Sequence, residues 1–251
     1  MSAPAANAGN GADPAIRVVK ASKSFGKKEV LHGIDLAIRR GEIFGLLGPS
    51  GSGKTTLVRL MTGIDKASSG EIYLQGERMP KLAMFRQIGY MAQSDALYME
   101  LTGKENLEFF ASLFGMTGSV RRKRIEEVIE LVHLTDDLGK PVAAYSGGMR
   151  RRLSLAVSLI HRPAVLILDE PTVGIDPVLR QSIWQELHSL RNAGTTIVVT
   201  THVMDEADKC DRLGMIRNGS LIAVGSSQEL RDRSGADSLE EAFLYYGGAT
   251  V

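Results

Sequence analysis

The segment "GPSGSGKT", Gly48 to Thr55, restricts the fold of this chain more than any other. The apolar stretch "EIFGLL" precedes it, and from Lys54 the spacing turns helical through about Met61. A strand, a glycine-rich turn and a helix carrying G-x-x-x-x-G-K-[ST] make a cradle for phosphate groups. Gly48, Gly51 and Gly53 let backbone amides approach an anion's oxygens, while Pro49, Ser50 and Ser52 complete the turn. The helix N-terminus supplies about half a positive charge and Lys54 a whole one. At about 4 Å and an effective dielectric near 20, a pair of unit charges gains about 4 kcal/mol, so Lys54 leads the attraction and the amides set its geometry. The Thr55 hydroxyl is placed to meet a magnesium ion, and Thr56 continues the binding turn.

The surrounding pattern is α/β. Ile16–Ala21 and Leu36–Arg39 read as strands, "GEIYLQGERM" as a strand and turn, and "IGYMAQ" as another strand. From Gly103 to Pro141 the spacing becomes helical in "KENLEFFASLF" and "RKRIEEVIELVHL", which predicts a helical insertion. "AVLILD" and "TTIVVTTH" are apolar enough to be buried parallel strands, with a helix between them stopped at Gly194. "MIRNGSLIAVG" carries Asn-Gly between two apolar runs, a hairpin signal, and "SSQELRDR" and "SLEEAFLYY" read as closing helices.

"LILDEP" ends a buried strand in two adjacent acids. Neighbours on a strand face opposite ways, so Asp169 is expected to turn toward a metal ion and Glu170 toward an attacking water. A second anion-receiving loop stands at "AAYSGGMRRRLSLA". Ser146 can cap a helix, and the amides of Gly147 and Gly148 open its positive end. Met149, Leu153, Ala156, Val157 and Ile160 then form an apolar stripe that anchors the helix.

These motifs together resemble the nucleotide-binding subunit of ATP-binding cassette (ABC) transporters. The resemblance spans about Ile16 to Gly225: "GPSGSGKTT" matches the Walker A element, "AVLILDEPT" the Walker B element and "YSGGM" the family signature. Gln93 in "YMAQ" matches the Q-loop glutamine, Asp176 in "GIDP" the D-loop and His202 in "TTH" the switch histidine. The resemblance implies a P-loop NTPase core of mainly parallel sheet flanked by helices, with an N-terminal antiparallel β subdomain and an inserted α-helical subdomain. It implies a cassette over 16–225, its helical subdomain at about 103–161, between a disordered tail (1–15) and a helical extension (226–251). It implies ATP as ligand and Mg2+ held by Thr55, Gln93 and Asp169. Catalysis falls to Glu170, His202, Gln93 and Lys54. Phe25 in "KSFGKK" aligns with an aromatic that stacks on adenine; a core phenylalanine is the other reading. Asp176 before Pro177 also suits helix capping, and both roles can hold.

In this family the signature loop meets the γ-phosphate on a second nucleotide-binding domain. One P-loop and one signature loop per chain therefore imply pairing, with another copy or a paralogue. The resemblance also implies a separate membrane-spanning permease, whose short helix docks near "SDALYMELTGKENLEFF"; Leu97, Tyr98, Met99 and Leu101 are groove candidates, or else pack within the subdomain. No run of residues approaches a membrane span, so the chain is expected to be cytoplasmic and peripheral on the inner face of the membrane.

Tyr145 and Met149 depart from the commoner "LSGGQ" signature, and "YSGGMRRRLSLA" looks more like the drug, antibiotic and lipid exporter form. An importer subunit with the same chemistry is the alternative, and a soluble ATPase of DNA repair or of the ribosome a more distant one. Nucleic acid is not expected as a partner, because 30 basic side chains face 29 acidic ones for a net charge of +1. Arg150–Arg152 fan around the helix and read as solvated charge and ion pairs. Cys210 stands alone, which excludes an intrachain disulfide. The small, polar first residues lack the basic start and apolar run of a secretory signal.

Overall fold

A computed structural model describes residues 13–248. The N-terminal passage runs β1 (Ile16–Phe25), β2 (Lys28–Ile38), β3 (Ile43–Leu47), α1 (Lys54–Thr62), β4 (Ser69–Leu74) and β5 (Glu77–Arg78). The middle passage is β6 (Ile88–Met91), α2 (Gly103–Leu113), α3 (Gly118–Leu131) and α4 (Gly147–Leu159). The last is β7 (Val165–Asp169), α5 (Pro177–Asn192), β8 (Thr196–Thr201), α6 (Met204–Ala207), β9 (Arg212–Arg217), β10 (Ser220–Gly225), α7 (Ser227–Ser234) and α8 (Leu239–Tyr246).

Every residue of β3, β7 and β8 is buried, which is why these apolar runs lie inside a six-stranded sheet of order β10-β9-β3-β8-β7-β6. Pairing is parallel from β9 through β6, and only β10 runs antiparallel, across the turn at Asn218 and Gly219. Both turn residues have positive φ, 47° and 75°, as a two-residue hairpin of this twist requires. Alternation along β3 divides the interior. Ile43 and Leu47 join the core that holds α2–α5, whereas Phe44 and Leu46 join the core that holds α1 and the second sheet.

That second sheet is antiparallel, in the order β2-β1-β4-β5. β1 and β2 are longer than their apolar patterns predict. The register between them shifts at three places, and Lys20 takes a φ of 46°, so the in–out alternation is broken while pairing continues. The tail expected over 1–15 lies outside the described residues as far as residue 12. Ala15 is already buried, and its carbonyl accepts the Gln75 N–H at 2.7 Å.

The helical stretch between β6 and β7 follows from strong local signals. Thr102 and Glu105 form a capping box at α2, and Ser146 caps α4 through the Met149 N–H. Tyr145 is buried, and its hydroxyl donates to the Asp137 carbonyl at 2.7 Å. A β-carbon at Gly103 would come within 2.4 Å of that hydroxyl, so the tyrosine and the glycine are matched. Leu97 and Met99 pack against the core, whereas Tyr98 is half exposed and meets the Phe109 ring edge-on.

Candidate nucleotide site

The phosphate loop leaves the end of β3 at the middle of the sheet. A β-carbon at Gly48 would lie 2.2 Å from the Ile216 carbonyl, and Gly53 adopts φ 108° with Leu31 close by, so neither position admits another residue. No side chain caps α1, which leaves its first-turn amides open for an anion. Lys54 is buried and folds back over its own loop, donating to the Gly48 carbonyl at 2.7 Å and the Pro49 carbonyl at 3.0 Å. Burial lowers its pKa; the carboxylates of Glu170 and Asp169 pull the other way. Thr55 and Thr56 are half-buried in the first turn, and Pro49, Ser50 and Gly51 are exposed at the tip of the loop.

Two strands away, β7 delivers the acids. Asp169 is buried, and its Oδ1 accepts the Thr200 hydroxyl at 2.5 Å. Its Oδ2 is buried with no hydrogen-bond partner. Such an orphaned anionic oxygen fits the shell of a hydrated cation, as do the hard oxygens of Thr55 and Gln93. Glu170 turns out of the strand with φ 52°, in the left-handed region that costs a non-glycine residue about 1–2 kcal/mol. Its Oε1 lies 3.1 Å from His202 Nδ1, which the end of β8 presents. Adjacent parallel strands thus end in an acid pair and a histidine, and the field of both acids reaches Lys54.

None of the other expected site residues has a side-chain hydrogen bond to this centre. Ser146 and Gly147 are exposed, Gly148 is half exposed with its Cβ position 3.3 Å from the Gly174 carbonyl, and none of the three has a hydrogen bond to the phosphate loop. Asp176 is exposed and caps α5, accepting from the Val178 and Leu179 N–H groups at 3.1 and 3.0 Å. Phe25 is 51% exposed near the tip of the β1–β2 hairpin with Lys23 Nζ 4.9 Å over its ring, so it is not a core phenylalanine. The side chain of Gln93 is exposed, but its carbonyl is tied to the centre.

That tie goes beyond the reading of Arg150–Arg152 as a mixture of solvated charge and ion pairs. Arg151 is buried and donates to four carbonyls: Ala92 at 2.7 Å, Gln93 at 3.1 Å, Glu170 at 2.7 Å and Asp169. Arg152 donates to the Val132 and His133 carbonyls that end α3, and Arg150 remains half exposed. A buried guanidinium is tolerated because loop and strand ends offer carbonyls that need donors. Ser154 and Ser158, buried at three and seven residues beyond Arg151, mark the same inward face of α4. Glu206 was also missed. It is buried, accepts from the Thr172 hydroxyl and, at 2.8 Å, from the Thr201 hydroxyl beside His202.

Comparison with known proteins agrees with this geometry. Residues 31–173 match the family model described as ABC transporter. The daunorubicin resistance ATP-binding protein DrrA3 of Streptomyces coeruleorubidus is 43% identical over 245 residues, covering 96% of this chain and 78% of that protein. The linearmycin resistance ATP-binding protein LnrL of Bacillus subtilis (strain 168) is 40% identical over 235 residues, covering 88% and 75%. Among solved structures, an ATP-binding subunit of an ABC transporter superposes with a TM-score of 0.85 at 26% identity, over 92% of this chain and 99% of that one. A dimeric post-hydrolysis state of the cassette MJ0796 bound to ADP and Pi gives 0.79 at 28%, over 84% and 98%. The P-loop NTPase architecture expected from the motifs is therefore the observed one, and this chain belongs to the ABC transporter family as an ATP-binding, ATP-hydrolysing cassette.

Proposed function

We propose that this cassette powers an exporter of the drug and antibiotic type through a separate membrane-spanning partner. The contact of Glu170 with His202, at the ends of adjacent strands near Lys54, carries the hydrolytic part of this reading. Lys54 exchanges its two loop carbonyls for phosphate oxygens, and the open amides of α1 hold the same phosphates. Glu170 orients the water for in-line attack, and His202 shares its carboxylate and meets the γ-phosphate. Thr55, Gln93 and Asp169 would hold magnesium, which supplies charge neutralisation on the phosphates when bound. Phe25 offers one ring face to the adenine.

Ser146, Gly147 and Asp176, which are exposed, and Gly148, which is half exposed, serve the nucleotide of a second cassette, either a copy or a paralogue. The membrane partner inserts a short helix into an apolar groove of about 730 Å³ lined by Leu82, Phe85, Phe110, Leu113, Phe114 and His161; none of Leu97, Tyr98, Met99 and Leu101, the groove candidates in the sequence, lines it. In this reading the cassette works at the cytoplasmic face of the membrane. Among the described residues no helix is long and apolar enough to cross it. The direction of transport rests on the names of the relatives, daunorubicin and linearmycin resistance proteins.

Glu170→Gln tests the reading. Removing a general base costs about 10²–10⁴-fold in rate, so phosphate release should fall by that order while ATP binding persists and an ATP-dependent dimer accumulates. Turnover at the wild-type rate would refute it. Copurification of the chain with a permease from membranes tests the transport role.

A further inference from the structure

Glu170 holds a backbone state that a β-carbon disfavours, and such a state persists only where neighbours enforce it. Its N–H is held by the Thr200 hydroxyl at 2.9 Å. Its carbonyl is held by Arg151, whose two terminal nitrogens reach the Ala92 and Gln93 carbonyls on one side and the Asp169 and Glu170 carbonyls on the other. The four N–H bonds of those nitrogens are thus matched by four acceptors from two separate loops. Arg151 is 6% exposed, and Asp95, 3.8 Å from its Nη1, offsets its charge. α4 grips the same loop a second time, three residues on, where the Ser154 hydroxyl donates to Asp95 Oδ1 at 2.9 Å.

We propose that Arg151 is a positioning residue of the ATPase reaction: its planar fork locks the backbone of Glu170 to the Gln93 loop, so that the carboxylate is aimed only while α4 is seated. The proposal rests on Glu170 being the residue that orients water. Arg151 lies five residues after Ser146 on one rigid helix. Seating of the α4 N-terminus and aim of Glu170 are therefore one movement. A lysine keeps the charge but presents a compact head that does not span carbonyls on both loops.

Arg151→Lys and Arg151→Gln in the full-length chain test this, read by ATP binding, steady-state phosphate release, thermal midpoint and hydrogen exchange. Both variants should fold and bind ATP within about threefold of wild type, with kcat reduced at least about tenfold and KM moved less than about threefold, as for a misplaced catalytic group. Amide exchange should rise at residues 93–95, 170 and 172 and stay unchanged in α1. Lysine should not restore the rate. A kcat within about twofold of wild type for Arg151→Lys overturns the proposal, as does a loss confined to ATP affinity. Failure of both variants to fold overturns it as well, since Arg151 would then be a determinant of stability alone. Glu170→Gln run alongside separates the two ideas: an inactive Glu170→Gln beside a normal Arg151→Lys sinks only the role of Arg151, whereas an active Glu170→Gln sinks the assignment beneath it.

Discussion

At the end of β8 the Thr200 hydroxyl is shared between the two acids, accepting the Glu170 N–H at 2.9 Å and donating to Asp169 Oδ1 at 2.5 Å. It leaves Asp169 Oδ2 free and pins the strained Glu170 backbone from the side opposite Arg151. Thr200→Val keeps the shape and removes both bonds, leaving a polar group unsatisfied in the interior. We expect a loss of about 1–3 kcal/mol, read as a lowered urea midpoint, together with slower phosphate release. Lys54→Ala deletes the only full charge in the cradle. Hydrogen bonds to charged groups are worth about 1.5–3 kcal/mol each, so ATP affinity by calorimetry should fall at least about tenfold. The charge of Lys54 is legible in the sequence because a motif fixes its place. Thr200 is not, because in "TTIVVTTH" it reads as one more β-branched strand residue. Arg151 and Glu206 were hidden for a related reason. Their partners are main-chain carbonyls and hydroxyls from distant segments, which leave no pattern near them in the chain.

Among the elements, α3 and α4 are joined end to side by one arginine. Arg124 donates through Nε to the Ile160 carbonyl at 3.0 Å and through Nη2 to the Leu159 carbonyl at 2.5 Å, filling orphan acceptors at the end of α4. Its Nη1 holds Glu127 at 2.9 Å, and Arg162, just beyond α4, holds the same carboxylate at 2.7 Å. Arg124 and then Arg162 lower the Glu127 carboxyl from its ordinary 4.5 to about 2. The sign follows from linkage: a depressed carboxyl stabilises the fold above about 4.5, and that contribution is lost as pH falls toward about 2. Urea midpoints of the wild type should fall across that window, and Glu127→Gln should flatten that part of the curve. Unchanged curves would show that the clasp adds nothing. The helices themselves were readable from apolar spacing and caps. The clasp was not, since "VRRKRIEEVIE" offers four basic residues and only the structure selects Arg124. The β1–β2 pair shows the converse loss, where register shifts erase the alternation that would have announced its full length.

At the scale of the whole molecule, one cassette carries one phosphate loop with its acid pair, and one signature loop proposed to serve a second cassette. The count of motifs in the sequence already implied this, because one chain supplies each half once. What the sequence did not reveal is whether the signature loop has room. A β-carbon on Gly147 meets no atom within 4 Å, and its φ is not in the left-handed region, so the isolated chain has no steric objection to a larger residue there. Gly148 differs, with the Gly174 carbonyl 3.3 Å from its Cβ position. Gly147→Asp therefore probes pairing without disturbing the fold. Its carboxylate would stand at the mouth of the α4 N-terminus, where the terminal phosphate of the partner's ATP is proposed to sit. Two anions there repel each other, while the chain's own phosphate loop is untouched. The variant should keep the wild-type thermal midpoint and its ATP affinity as a monomer. In a Glu170→Gln background it should remain monomeric with ATP by light scattering, whereas Glu170→Gln alone dimerises. Gly147→Ala in the same background should still pair, because it adds bulk to an open position without adding charge. A Gly147→Asp dimer that forms with ATP would mean that the signature loop does not face a phosphate in the assembled pair.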